Sequence, residues 1–290
     1  MRIAYDGTPF KGWQYQAADG QRSVAECVEE ALLTMGPAAD RGDIQLTGAG
    51  RTDAGVHAIG QVAHCHFPHA MAPEALRKGL NGLLPQSVRV RDVCRAPSGF
   101  HARFGARRKR YRYLLVDGGV LPPHLANRAF HRRRGRAPHA RAPLDLGLLE
   151  RAAAKLCGEH DFGALSNDDP NRLGESTVRT LDRVDVAVRS PWDDLASDMD
   201  PDGAVAVELS FEARGFLYKQ VRIMSGLLVA CADGRISLDC LPSFLDGSLT
   251  RTMSNLAGVK TLPACGLTLH SVSYDERLPW SDQAARMPRG

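Results

Sequence analysis

A chain of 290 residues with 43% hydrophobic content is long enough to bury a sizeable core, in one domain or in two. The opening MRIAYDGTPFKGWQYQAADG holds no signal-peptide stretch and no apolar run elsewhere approaches a bilayer span, so a soluble protein of the cytoplasm is the expectation. The net charge of +4 hides a segregation: residues 101–141 carry twelve Lys and Arg against one acid, Asp117, a net +11 that leaves −7 for the rest, the footprint of a polyanionic partner such as nucleic acid.

Taken in chain order, RIAY (2–5) alternates as a short strand. SVAECVEEALLTM (23–35) has helical spacing, and Ser23 with Glu26 three residues later makes a capping box at its start. IQLTG (44–48) reads as a strand, GAGRTDAG as a glycine-rich loop, and IGQVAHCHF (59–67) as the next strand. PEALRKGLNGLL (73–84) is a helix with Pro73 in its first turn, and SVRVRDV (87–93) alternates again. The order is βαββαβ. Strand 110–116, helix 145–157, strands 180–188 and 204–212, helix 216–232 and strand 267–274 repeat it.

Two such halves, ferredoxin-like or RRM-like, predict an α+β protein whose mainly antiparallel sheets join edge to edge. The expected boundaries are 1–98, 99–278 and a polar tail at 279–290. The same plan serves many RNA-binding modules. SNDDPNRLGEST (166–177) and RSPWDDLASDMDPDG (189–203) have the composition of surface loops.

Within the basic window, RRKRYRYLLV (107–116) alternates into an apolar run and reads as a strand, whereas RRRGR (132–136) also fits a solvated basic loop. Phe100, Phe104, Tyr111, Tyr113 and Phe130 are interleaved with these charges. Seven cysteines with no C-x-x-C pair indicate reduced, mostly buried thiols. His57, His64, Cys65, His66 and His69 cluster in sequence, but adjacent strand residues point to opposite faces, so no metal is expected.

The loop around Asp53 raises the sharpest question. A dinucleotide fingerprint fails because its third glycine would fall at Asp53 and a strand follows. An aspartic peptidase would need a second carboxylate string, which the chain does not contain. Two readings stay open on spacing alone: a rigid loop that aims Arg51 and Asp53 at a ligand, or an Asp that caps its own turn.

GRTDAGVHAIGQV resembles the signature of the tRNA pseudouridine synthase A family. The resemblance continues, in the family's order, through YDGTPFKGWQYQ (5–16), RSVAECVEEAL (22–32), NGLLPQSVRV (81–90), GFHARFGARRKRYRYLL (99–115), GEHDF (158–162) and GFLYKQVRIMSGLL (215–228), covering roughly 3–274. It implies the pseudouridine synthase fold and isomerisation of uridine to pseudouridine at positions 38–40 of the tRNA anticodon stem-loop, with no cofactor and no metal, by a cytoplasmic homodimer with tRNA across both subunits. It makes Asp53 the catalytic carboxylate, buried beside Arg222, whose cation would keep it ionised. Arg51 would displace the target nucleotide and hold RNA. Tyr111, favoured over Tyr113 for a single site position, would stack on the uracil and assist proton transfer. Arg107, Arg108, Lys109, Arg110 and Lys219 are the RNA contacts this reading assigns.

Some positions depart from the family pattern: Gln220 where methionine is common, Ala-Leu at 164–165 in place of Ser-Phe, a short lead before the first strand and a long acidic loop at 189–203. Two other function classes compete. One is a catalytically silent RNA-binding module on the same sheet, and the other is a phosphate or nucleotide enzyme misread from its glycines.

Overall fold

A computed structural model describes residues 1–14, 20–36, 41–68, 71–135, 141–169, 174–189, 191, 203–275 and 278–280. The chain divides into two compact units, Met1–Lys109 with Thr268–Gly290, and Arg110–Leu267. Both are mixtures of helices and mainly antiparallel strands, as the α+β pattern predicts.

In the first unit, β1 (Arg2–Tyr5) lies between β3 (His57–His64) and β4 (Val88–Asp92), antiparallel to both. Beyond β3 runs β10 (Leu267–Ser273), parallel to it, with Thr268 opposite His57. Helix α1 (Val24–Met35) buries Val24, Cys27, Val28, Ala31 and Leu32, a stripe at three- and four-residue spacing. Its capping box is formed: Glu26 N donates to Ser23 Oγ at 3.2 Å and Ser23 N to Glu26 Oε2 at 2.6 Å. Helix α3 (Pro73–Leu83) opens on Pro73 and buries Leu76 and Leu80.

The strand expected at 44–48 is not there. Ile44 ends a one-turn helix, α2 (Arg41–Ile44), and Gln45 turns left-handed at φ 46°, so only Thr47–Gly48 remain as β2, paired to β3. The strand expected to reach 67 stops at His64, which pairs with Thr47 at the end of β2; beyond it His66 N donates to Ile44 O at 2.9 Å, and Ile44 already belongs to α2.

In the second unit the strand order is β5 (Arg108–Asp117), β9 (Val205–Ala213), β8 (Val178–Arg189) and β7 (Gly158–Asp161), with the three-residue β6 (Phe130–Arg132) parallel to β5. Strands β8 and β9 form a long antiparallel hairpin, and most of its connecting acidic loop lies outside the described residues. Helix α4 (Leu146–Lys155) packs against α5 (Gln220–Ala232). Every residue of α5 is buried except Arg222. That helix starts four residues later than its sequence predicts because Lys219 adopts φ 59°, a left-handed conformation that cannot sit inside a right-handed helix. The short α6 (Arg251–Leu256) is capped by Thr250. Tyr111 and Tyr113, two apart on β5, share one face and are both buried, so strand alternation does not choose between them for a single site position.

The seven cysteines are free; Cys27 and Cys231 are buried and Cys240 is exposed, so burial is less general than expected. Among the described residues no helix is long and apolar enough to cross a membrane. Arg136, the tail from 281 and part of the 166–177 loop lie outside the described residues.

Candidate functional site

The loop that carries Asp53 is built from main-chain bonds. Ala49 N donates to Val62 O at 2.7 Å, Trp13 N to Thr52 O at 3.1 Å, Gly55 N to Phe10 O at 3.3 Å, and Val56 N to Asp53 O at 3.1 Å, closing a tight turn. Asp53 itself forms an isolated antiparallel bridge with Gly12. Side chains complete the cradle. Gln61 Nε2 donates to Gly50 O at 2.9 Å, Lys109 Nζ to Ala49 O at 2.7 Å, and the Tyr5 hydroxyl meets Thr52 Oγ1 at 2.8 Å. Burial pushes the Tyr5 phenol above its usual range, so it stays protonated and serves the loop as a neutral hydroxyl.

The glycines serve two purposes. Gly12 needs φ 104°, and a Cβ there would overlap Thr52 O, so a side chain would push the Asp53 strand away. Gly48 is instead required by close approach: a Cβ would stand 2.5 Å from Trp13 Nε1, where the indole packs. Trp13, in turn, lies 6.1 Å from the Tyr5 ring. The opening YDGTPFKGWQ is thus the second wall of the Asp53 loop, a role that the sequence reading left unassigned. Its signal was available in Gly12–Trp13, a glycine beside a buried aromatic.

Arg51 is exposed and Asp53 is half-buried, so the carboxylate sits nearer the surface than the expected buried position. The structure places the remaining assigned residues as follows. Arg107 pairs with Asp275 at 2.6 Å on the surface, Arg108 is exposed, and Lys109 tethers Ala49. In the second unit Arg110 is ion-paired to Glu212. Tyr111 is 7% exposed and meets Phe216 edge-on at 5.2 Å. Tyr113 is a core residue, its hydroxyl donating to Pro263 O at 2.9 Å.

Arg222 is held by the chain that passes beside α5. Its Nε donates to Leu262 O at 2.8 Å, and its carbonyl accepts from Leu262 N at 3.3 Å. The approach is close because Gly226, one turn on, has no Cβ; one would overlap Lys260 O. Lys219 lies over the Tyr218 ring at 4.8 Å, immediately before the helix.

Not all of the +11 window faces solvent. Arg132, 2% exposed, is ion-paired to Asp117 and Asp233, and Arg134 reaches Asp117 at 3.0 Å. Burial pushes the Asp117 carboxyl up, but Arg134, the Leu144 N–H and Arg132 outweigh it and hold the group below the usual carboxylate range. The basic run 132–134 therefore divides, with Arg132 inside and Arg133 exposed. Among the described residues no group of three or more His, Cys, Asp and Glu is arranged to hold a metal. His57 Nδ1 accepts from Gly7 N at 3.1 Å and His64 Nδ1 from Ala102 N at 3.2 Å.

A half-exposed carboxylate on a rigid loop, beside an exposed arginine, suits reaction with a ligand that arrives from solvent. Comparison with known proteins agrees in kind. The sequence model of a family described as tRNA pseudouridine synthase matches residues 1–105 and 152–275. Arg51, Asp53, Lys219 and Arg222 fall within those segments, whereas Tyr111 and the run 107–110 fall between them. The chain is 40% identical to the tRNA pseudouridine synthase A of Frankia casuarinae over 94% of its own length and 88% of that protein's. It is 37% identical to the one of Oleidesulfovibrio alaskensis, over 96% of both chains. The counterpart in Streptomyces avermitilis is also 37% identical, over all of this chain and 93% of that one.

Proposed function

The chain belongs to the tRNA pseudouridine synthase family, an isomerase that makes pseudouridine in tRNA, and from that premise we propose that it acts on uridines at positions 38–40 of the anticodon stem-loop with Asp53 as its catalytic carboxylate. The single observation that carries this reading is the Asp53 loop, whose position is set by main-chain bonds to Trp13, Phe10 and Val62. Such bonds aim a side chain without relying on the side chain itself.

The isomerisation breaks the N1–C1′ bond and forms a C5–C1′ bond; the C5 proton leaves and N1 gains one. An ionised carboxylate can begin this by attack on the nucleoside or by removing a proton. In this reading Arg51 helps to displace the target nucleotide and holds the RNA, Tyr111 stacks on the uracil and assists proton transfer, and Arg222 pairs with Asp53. Lifting a base out of a stem costs about a few kcal/mol, which a stacking aromatic and cationic contacts offset. Arg107, Arg108, Lys109, Arg110 and Lys219 are the candidates for phosphate contact. No cofactor enters the scheme. The enzyme works in the cytoplasm as a homodimer that shares one tRNA.

The test is pseudouridine formation in an unmodified tRNA transcript with uridine on the 3′ side of the anticodon stem-loop. The wild-type chain should convert it, and Asp53→Asn should lose about a thousandfold or more in rate while tRNA affinity holds within about twofold. Equal conversion by both proteins would move the site away from Asp53. Binding without conversion by either would leave a silent RNA-binding module as the reading.

A further inference from the structure

Phe104 keeps 70% of its surface exposed, yet the turn that carries it is tightly fixed. The N–H groups of Arg103 and Phe104 both donate to His101 Nδ1 at 3.1 Å, and Gly105 N donates to His101 O at 2.9 Å. From below, Ala102 N donates to His64 Nδ1 at 3.2 Å and Ala102 O accepts the Tyr274 hydroxyl at 2.7 Å. The rings continue this support inward. His101 lies 4.4 Å from Phe104 and 4.8 Å from His64, His64 meets Phe100 edge-on, and Phe100 lies 5.0 Å from Tyr274. The Arg103 guanidinium stands 5.5 Å from the centre of the Phe104 ring.

An exposed ring on a preorganised turn is ready to bind, because the ordering that binding normally costs is already complete. The surroundings specify the ligand. Arg103, Arg107 and Arg108 are exposed nearby in the chain, Arg107 in a surface pair with Asp275, and they belong to the +11 window, which suits an anionic ligand. One aromatic face among cations is the pattern that holds unpaired nucleic acid, the ring taking a base and the cations its phosphates.

We propose that Phe104 is a stacking platform for an unpaired nucleobase of the RNA substrate, with Arg103 beside it for the adjoining phosphate. The inference rests on the tRNA-modifying reading above and adds a contact that Asp53, Tyr111 and Arg222 do not supply. Its use is clear when a target base leaves a stem, since the unpaired neighbours it leaves behind lose their own stacking.

The experiment measures the affinity of unmodified tRNA transcript as a function of salt for the wild type, Phe104→Ala, Phe104→Leu, Phe104→Trp and Arg103→Ala, with conversion of the same transcript followed in parallel. Phe104→Ala should weaken binding about tenfold, the size of one lost base–aromatic stack, without changing the slope of log Kd against log salt. Phe104→Leu, apolar but without a π-face, should fall with alanine, and Phe104→Trp should bind at least as well as wild type. Arg103→Ala should make the slope shallower by about one.

Thermal unfolding should be unchanged in all four variants because both side chains are exposed. If the alanine protein proves unstable, the leucine and tryptophan pair decides. The platform is overturned if Phe104→Ala binds within about twofold of wild type, or if leucine restores affinity. It is also overturned if sedimentation shows Phe104→Ala dissociating a wild-type oligomer, which would make the ring a subunit contact. Failure of the wild-type chain to convert uridine would sink the functional reading instead, so the two failures are distinguishable.

Discussion

Two aspartates in this chain, Asp53 and Asp117, are fixed in opposite ways. Asp53 is located by its main chain, through the bridge to Gly12 and the turn closed by Val56 N, and its side chain is left half-exposed. Asp117 is located by its side chain, which is buried and surrounded by Arg132, Arg134 and the Leu144 N–H. The first arrangement leaves a carboxylate open to solvent, as the proposed catalytic role requires; the second ties the carboxylate into a buried ion-pair cluster. Charge alone distinguishes neither, since both aspartates sit near arginines in the sequence.

The largest expected effects are reciprocal. Asp53→Asn should abolish conversion, as described above, with little change in stability. Asp117→Asn should cost about 3 kcal/mol in urea unfolding, because it leaves buried guanidinium groups short of a partner, while conversion by the folded fraction persists. The pH dependence follows from the direction of the Asp117 shift. Its folded pKa lies below the unfolded value, so the unfolded chain binds the proton first as pH falls. The stabilisation is present above about pH 4 and disappears as pH falls from there through the folded value. Asp117→Asn should flatten the stability profile in that acidic window, and an unchanged profile would show that the cluster does not hold the fold.

A smaller effect should come from Gly12→Ala. With φ at 104° and Thr52 O in the way of a Cβ, the substitution should destabilise by about 1–3 kcal/mol. It should also lower conversion more than tRNA affinity, because it displaces Asp53 and not the basic surface. Equal losses in rate and affinity would mean that the loop serves binding and not chemistry.

The smallest effect separates cations within the basic window. Removing Arg108, which is exposed, should reduce the salt slope of tRNA binding by about one, while removing Arg110, ion-paired to Glu212, should reduce it by less. Equal slopes would indicate that Arg110 exchanges Glu212 for phosphate on binding.

Much of this was legible in the residues. The periodicity of VAECVEEALLTM and the Ser23–Glu26 pair located α1, and the alternation of SVRVRDV located β4, because those signals are local and the tertiary structure agrees with them. The tight turn around Asp53 was legible too, from the density of glycines around one carboxylate. What those glycines do was not. Gly48 answers to the indole of Trp13, 35 residues earlier, and Gly12 to Thr52, 40 residues later.

Composition and spacing by themselves determined the α+β class and the main helices and strands, and the resemblance of stretches such as GRTDAGVHAIGQV supplied the family and the residues to test. Tertiary structure decided the breaks at Gln45 and Lys219, where the chain turns left-handed inside runs that look continuous. It also decided which charges count as surface. Arg132 and Arg133 are neighbours in a basic run, but one is buried against Asp117 and Asp233 and the other is exposed. The physical reason is the same in each case: local signals report what a segment prefers, whereas the partner of a buried charge or of a missing Cβ comes from a distant part of the chain that only folding brings close.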